Sequence, residues 1–467
     1  MAGTVDSTPG FNLTPSSKKQ TLVSNYITDF NFLDQYLPDT YEKEFERYGN
    51  RSVASFLRAV SAELPSNSDL IKWTEQGRLH TQYTGVTYGA ISSGSQTFTI
   101  ASGDCVFRVG QTVILSSAAE VTNKKTQKGI ITAVSGSDFT VAFYGAAASS
   151  GFTVSPAATD VVAFVYGSEF RKGTNGMQGS LESESDFFEN KPIIIKDKYE
   201  VSGSDMAQIG WVEVTTENGA TGYLWYIKSE HETRLRFEDY LEMSMIEAVP
   251  AESGSGALAA LSDSGSAGSE GMLYTIENRG NVWSGGNPDR LSDFDSVIQR
   301  LDKQGSIQEN VIFLNRQFGF DIDDMLAQQN SYGTGGTSYG LFDNDEQMAL
   351  NLGFSGFKRG YEFYKTDWKY LNDATLRGGL AAEKVNGVLV PAGSMTVYDQ
   401  VLGKNATRPF LHVRYRASET EDRRYKTWMT GSAGGAMNSD LDAMEVHFLS
   451  ERALCTMGAN NFFLFKD

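Results

Sequence analysis

The sequence is poor in the residues that staple, ligate or anchor a chain. Only two of its 467 residues are cysteine, Cys105 and Cys455, far apart and without a CxxC spacing. That excludes a disulfide scaffold and a cysteine-built metal site, and it fits a reducing compartment. Four histidines, His80, His231, His412 and His447, show no HxH, HxxxH or HExxH spacing, so zinc has no basis in the sequence. Ten prolines against 47 glycines mean that turns are made by glycine at positive φ rather than by rigid X-Pro bends. Positive charge is short as well. Against 58 Asp and Glu stand 40 Lys and Arg, a net charge of −18, which argues against a dedicated nucleic-acid binder with a basic face. No run approaches about eighteen uninterrupted apolar residues, and residues 1–19 lack an apolar segment. Neither a membrane span nor a signal peptide is expected, and synthesis in a cytoplasm is.

What remains is ordinary globular material, 40% hydrophobic and 12% aromatic, long enough for about three domains or one elaborated domain. Residues 1–20 are rich in Ser, Thr, Gly and Pro, end in Lys18-Lys19, and read as an N-terminal arm. Residues 21–85 read as a helical region, where Val53, Phe56, Leu57, Val60 and Leu64 recur at helical spacing before Pro65. Over 86–166 charge thins out and the period drops to two, as in Thr97-Phe98-Thr99-Ile100. A hairpin is expected across Ser135-Gly136-Ser137-Asp138, and the segment as a whole reads as a small all-β domain. Residues 167–222 are glycine-rich and then acidic, with a strand at 192–196 and a β pair around 211–214 and Asn218-Gly219, and read as an extended loop.

Residues 223–249 form a long helix of about 40 Å, carrying Glu230 with Arg234 and Glu232 with Arg236 as i, i+4 pairs and stopping at Pro250. Residues 251–271 read as a flexible Gly, Ser and Ala linker. Next comes a helix with Phe294, Val297, Ile298 and Leu301 on one face and Gly305 as its stop, followed by an apolar strand at 311–314. Beyond the glycine-rich loop at 331–340 the pattern is mainly strands, at 387–391, 410–415 and 461–465. No internal repeat is visible, which excludes a solenoid or propeller.

Motifs of chemistry are sparse. Gly336-Thr337-Ser338-Tyr339-Gly340 fits G-x-S-x-G, and Asp399 and His447 follow in hydrolase order. A nucleophile elbow needs a strand before the serine and a helix after it, whereas this motif stands in a polar glycine run, so it reads as a loop. The acidic clusters at 182–186, 321–324 and 343–346 lack the order of a calcium loop and read as solvated charge. No phosphate-binding loop occurs. Local basic clusters stand at Arg171-Lys172, Lys196 with Lys198, Lys358-Arg359, Arg414 with Arg416, and Arg423-Arg424, suited to acidic neighbours across a subunit interface. Two other readings stay open: a serine hydrolase using Ser338, and a carbohydrate-binding, adhesin-type module built on the glycine-rich β segments with their Tyr and Trp.

The order of parts resembles the Hong Kong 97-type major capsid proteins of tailed bacteriophages. Ser68-Asp69-Leu70-Ile71-Lys72-Trp73-Thr74-Glu75-Gln76-Gly77-Arg78-Leu79-His80 is similar to the segment before the extended loop in large-phage capsid proteins, including the crAss-like group. Val311-Ile312-Phe313-Leu314-Asn315 and Arg452-Ala453-Leu454-Cys455-Thr456-Met457-Gly458-Ala459-Asn460-Asn461 resemble them too. The resemblance implies an α+β fold with an arm at 1–20, an extended loop at 167–222, a peripheral domain at 223–330 around the long spine helix, and an axial domain at 331–467. The small all-β domain at 86–166 departs from the minimal pattern and would be an insertion. The function implied is a structural virion protein, not an enzyme, that assembles as pentamers and hexamers into an icosahedral shell around double-stranded DNA. Its implied partners are copies of itself, packaged DNA without sequence specificity, a portal, auxiliary proteins, and a separate scaffold protein or none. No catalytic residue, cofactor, metal or membrane contact is assigned. Charge, position and layout together point to Lys18, Lys19, Arg171, Lys172, Lys196, Lys198, Glu230, Glu232, Arg234 and Arg236 as subunit-interface residues.

Overall fold

In a computed structural model of the chain, the described residues are 56–57, 62–153, 161–182, 185–207, 214–215, 221–222, 225–260, 267–331, 356–399, 404–435 and 437–467. The arm at 1–20, nearly all of 21–61 and the motif containing Ser338 lie outside them. The chain divides into two compact units. One holds Ile194–Met243 and Asp422–Ser450 with the N-terminal residues to Phe56; the other holds Leu57–Ile193, Ser244–Glu421 and Glu451–Asp467.

In the larger unit the helical spacing up to Leu64 misleads. Phe56 and Leu57 are helical, but Ala62–Ser66 is a strand, β1, and Ile71–Gln76 is a second, β2. The helical reading of 21–85 thus fails from Ala62 onward. Pro65 is the cause: it removes a backbone donor and drives Leu64 out of the helical region. As an edge strand β1 tolerates it, and β1 pairs in parallel with β20 (Leu411–Arg416).

A closed barrel follows, built from β3 (Gln82–Tyr88), β4 (Ser95–Thr99), β5 (Gln111–Ser116), β6 (Thr126–Ser135), β7 (Asp138–Phe143) and β8 (Val161–Ser168), in the order β3-β4-β7-β6-β5-β8. Alternation along these strands turns Val86, Phe98, Val113, Leu115, Ile131, Phe139, Val141, Val161 and Ala163 inward, all fully buried or within 1% of it. Phe98 stacks on Phe139 at 5.4 Å and Phe107 meets Phe139 edge-on at 5.2 Å, so the interior is a packed core and not a channel. Gly129 is required where β6 and β7 close in, since a Cβ there would stand 2.4 Å from Val141 Cγ1. β6 and β7 form the hairpin expected around Gly136, which adopts φ 57°.

A buried polar clamp seals one end. The Glu120 carboxylate, fully inaccessible, accepts the backbone N–H groups of Thr122 (2.8 Å), Asn123 (2.9 Å) and Thr153 (2.7 Å) and the Thr153 hydroxyl (3.0 Å). Gln127 and Gln96 grip the adjacent backbone, each both accepting from and donating to it, at Gly151 and Phe152 respectively. These bonds press Phe152 onto Tyr88 and Phe98.

The rest of this unit is a mixed six-stranded sheet. Its strands are β13 (Asn281–Trp283), β14 (Glu309–Leu314), β15 (Gly356–Arg359), β16 (Tyr361–Asp367), β17 (Val385–Pro391) and β23 (Phe463–Lys466), in the order β13-β23-β17-β14-β16-β15. Every residue of the central strand β17 is buried, which explains the apolar run from Val388 to Pro391, and the buried Asn386 is bonded to Asn315 and Asp467. The helices Leu291–Gln304 and Arg316–Ser331 supply Phe294, Val297, Leu301, Phe318 and Ile322 to a core shared with Ile312, Phe363, Leu389 and Phe465. Gly305 ends the first helix at φ 70°, with Ser306 N–H donating back to the Leu301 carbonyl at 3.1 Å.

The smaller unit packs the helix Trp225–Glu247, up to Met243, on β10 (Ile193–Ser202) and the first half of β22 (Ala443–Thr456), to which β21 (Lys426–Gly431) is paired antiparallel. Phe237 and Leu241 meet Val201, Met444, Val446 and Phe448. Along the helix Glu230 pairs with Arg234 at 3.2 Å, but Glu232 faces Lys228 at 3.9 Å and not Arg236, a correction to the expected pairing. The small β pair near Asn218 forms as Val214–Thr215 with Thr221–Gly222. The second half of β22 lies in the larger unit, antiparallel to β20.

Burial alone would raise the Glu120 carboxyl, but its four donors outweigh that and hold it at about 2, below the ordinary 4.5. The barrel therefore gains stability from Glu120 above pH 4.5 and loses it as pH falls from there toward 2. Glu120→Gln should destabilise the barrel by about 1–3 kcal/mol at neutral pH and flatten that acid slope, read by hydrogen exchange over residues 120–153. Parallel acid slopes in the two proteins would refute the assignment.

Candidate interaction surfaces

β2 and β9 (Ser185–Asn190) form an isolated antiparallel ribbon, with Ile71 opposite Asn190 and Gln76 opposite Ser185. The residues between these two strands include the whole barrel. One face of the ribbon is held down: Ile71 and Trp73 pack on Ala453 and Cys455, and the Arg279 guanidinium lies 4.1 Å over Phe188 and 5.7 Å from Trp73. Arg279 is fixed in turn by Glu270 at 3.1 Å. The root is Asn190. Its amide donates to the carbonyls of Leu454 (2.7 Å) and Glu270 (3.0 Å), and its Oδ1 accepts from Lys191 N–H, Glu270 N–H and the Ser269 hydroxyl. The opposite face carries the Lys72–Glu189 pair at 3.0 Å and an exposed Phe187.

The barrel presents a second surface. Phe164, Tyr166, Tyr144 and Phe170 are exposed there, with Lys128 over the Tyr166 ring at 5.5 Å and the Tyr144 hydroxyl on Glu169 at 2.5 Å. Beside it an open cleft of about 1170 Å³ is lined by residues 78–82, 164–167 and 302–305. Arg78 closes one side by donating to the Lys303 carbonyl at the end of the helix Leu291–Gln304.

Two groupings have the residue types of catalysis and not its chemistry. His412 and Cys455 stand opposite each other on β20 and β22, but burial pushes the thiol up to about 12, and burial beside Arg408 and Arg414 pulls the imidazole down to about 4. Both are neutral at physiological pH, and neither is accessible enough to attack a substrate. In the smaller unit His447 stacks on Trp428 at 5.0 Å, and its Nε2 meets Thr430 Oγ1 at 2.8 Å and Glu445 Oε2 at 3.4 Å. Hydroxyl and carboxylate share one ring nitrogen, so the imidazole cannot relay a proton between them. Among the described residues no group of three or more His, Cys, Asp or Glu is placed to hold a metal, and no helix is long and apolar enough to cross a membrane.

The residues assigned from sequence to a subunit interface are scattered. Lys18 and Lys19 lie outside the described residues. Arg171 and Lys172 stand exposed in the turn after β8, and Lys196 is exposed on β10. Lys198 is engaged within its own unit, by Glu200 at 2.7 Å and Glu445 at 2.8 Å. Glu230 and Arg234 satisfy each other along the helix, Glu232 faces Lys228, and Arg236 is exposed. Sequence reasoning passed over Asn190, Arg279, Phe187 and Leu79. The alternation of Phe187-Phe188 within an acidic strand was the one available signal.

No protein-family model and no curated protein matches the chain. Among solved structures it is similar to one from Microbacterium phage Oxtober96, at 9% identity over 93% of this chain and 96% of that one, with a TM-score of 0.41. It is similar to the capsid of a native GTA particle, at 9% identity over 95% and 98% of the chains, with a TM-score of 0.38. A structure from Mycobacterium phage Che8 matches at 10% identity over 62% and 76%, with a TM-score of 0.34.

Asn190→Ala would orphan the carbonyl and amide groups that this one side chain serves. It should lower stability by about 2–4 kcal/mol and speed hydrogen exchange at the ribbon root before the barrel, as exchange mass spectrometry would show. Uniform exchange across both would contradict the assignment.

Proposed function

We propose that this chain is a structural virion protein of a tailed bacteriophage, a major capsid subunit that assembles as pentamers and hexamers into an icosahedral shell around double-stranded DNA. The observation that carries this reading is the order of parts. A paired ribbon, the helix Trp225–Glu247 and a mixed sheet completed by the C-terminal strand stand in this order along the chain, which supports the reading. The exposed aromatic residues on ribbon and barrel also suit a subunit whose surfaces are covered by its neighbours. On this reading the Hong Kong 97-type fold carries the barrel as an insertion, facing outward or clamping a neighbour. A shell subunit needs self-complementary surfaces and no active site, and a net charge of −18 is tolerable around DNA that is enclosed without sequence recognition.

Expression of the full chain alone, with and without co-expressed candidate scaffold proteins, tests the reading. Light scattering after size exclusion and negative-stain imaging should find closed shells, tubes, or rings of five or six subunits. A monodisperse monomer under both conditions would overturn it.

A further inference from the structure

The barrel departs from the charge of the rest of the chain. Residues 82–172 hold six Lys and Arg against five Asp and Glu, whereas the whole chain carries −18. Of those acids Glu120 is buried under its four donors, Asp104 and Asp138 stand together at the β6–β7 turn beside Gly136, and Asp160 lies outside the described residues. The basic residues gather elsewhere. Strand register sets Lys128 on β6, Ile114 on β5 and Phe164 on β8 side by side on the outer face of the barrel. Lys128 lies over the ring of Tyr166, two residues past Phe164, and its carbonyl accepts the Tyr144 N–H at 3.1 Å. Tyr144 is 52% exposed, Tyr166 48%, Phe170 43% and Phe164 39%. Lys124 and Lys125 are exposed in the β5–β6 connection, at one end of β5, and Arg171 and Lys172 follow Phe170, whose ring lies against Gly110 at the other. The six residues of β5 set these two ends about 20 Å apart. Among the described residues none of Lys124, Lys125, Lys128, Arg171 and Lys172 is engaged in an ion pair, and the neighbouring Glu169 accepts the Tyr144 hydroxyl. The adjoining cleft adds Arg78 and Lys303 against Asp302.

We propose that this face of the barrel binds single-stranded nucleic acid without sequence preference. The exposed rings take the faces of the bases, and the five unpaired cations follow the phosphates. Exposed aromatic residues interleaved with basic ones are what a single strand requires, because every base offers a π face and every linkage a negative charge. A duplex hides those faces, so the rings select the unpaired strand. Phe164 and Tyr166, two residues apart on β8, stand about 7 Å from each other, which leaves room for a base on each. A face of about 20 Å suits a run on the order of four nucleotides. The charge of the whole chain excludes a broad basic surface, and the barrel supplies a local one. This activity goes beyond the shell reading and does not depend on it.

The test is the fluorescence anisotropy of a labelled oligothymidylate, longer than the face, titrated with the full-length chain across a salt series. Wild type should bind it, and should bind a duplex of the same length at least about tenfold more weakly. Tyr166→Ala and Phe164→Ala should each weaken binding about tenfold. Lys128→Glu should weaken it about three- to tenfold and make its dependence on salt shallower. Lys196→Glu, on β10 and away from the barrel, should stay within about twofold of wild type. All four variants should melt like wild type, because the replaced side chains are exposed. Absence of binding, equal affinity for the duplex, or an equal loss in Lys196→Glu and Lys128→Glu would overturn the proposal and leave the shell reading intact. Self-association that Tyr166→Ala abolishes, with the oligonucleotide left unbound, would also overturn it and give the face to a second copy of the chain.

Discussion

The larger unit depends on the satisfaction of one buried amide. Asn190 stands where an exposed ribbon meets the buried end of β22, a place where a strand terminates and backbone groups lose their ladder partners. A side chain with two donors and one acceptor oxygen supplies what the Leu454 carbonyl and the 269–270 turn lack. The cation–π contact of Arg279 adds orientation: the guanidinium covers two aromatic rings while Glu270 holds it from behind. An apolar root would bury as much area and leave the ribbon free to swivel.

Charge is handled economically. The exposed edge strand β15 is guarded by Lys358 with Glu362 and by Arg359 with Asp295, which blunts its capacity to pair with a foreign strand. In the barrel, the Glu120 carboxylate accepts from three backbone N–H groups and the Thr153 hydroxyl. Arg408 and Arg414 sit in surroundings that disfavour their charge, and the same surroundings keep His412 and Cys455 neutral.

Periodicity made the regular elements legible. The barrel strands, the helix stopped by Gly305, the long helix and the central apolar strands could all be read from spacing and punctuation, because a single buried face dictates each. Ala62–Ser66 could not, since its apolar positions fit a helix and only Pro65 spoke against one. The contacts that position the ribbon were also hidden. Asn190 lies 264 residues from the Leu454 carbonyl it serves, and no local pattern announces a bond made across that separation. Charged residues chosen as interface candidates fared differently for the same reason: Lys198 finds Glu445 through the sheet, 247 residues away, which spacing does not reveal.

The pairing of Gln76 with Ser185 brings the two ends of the barrel-bearing segment side by side, about one strand spacing apart. From the ribbon's side, everything between those residues is a loop closed at its base, and the hydrogen bonds of the ribbon are indifferent to the contents of that loop. The architecture therefore has a socket. A longer, shorter or wholly different domain whose termini emerge together satisfies the same boundary condition, so this position can diverge while the framework beneath it stays constant.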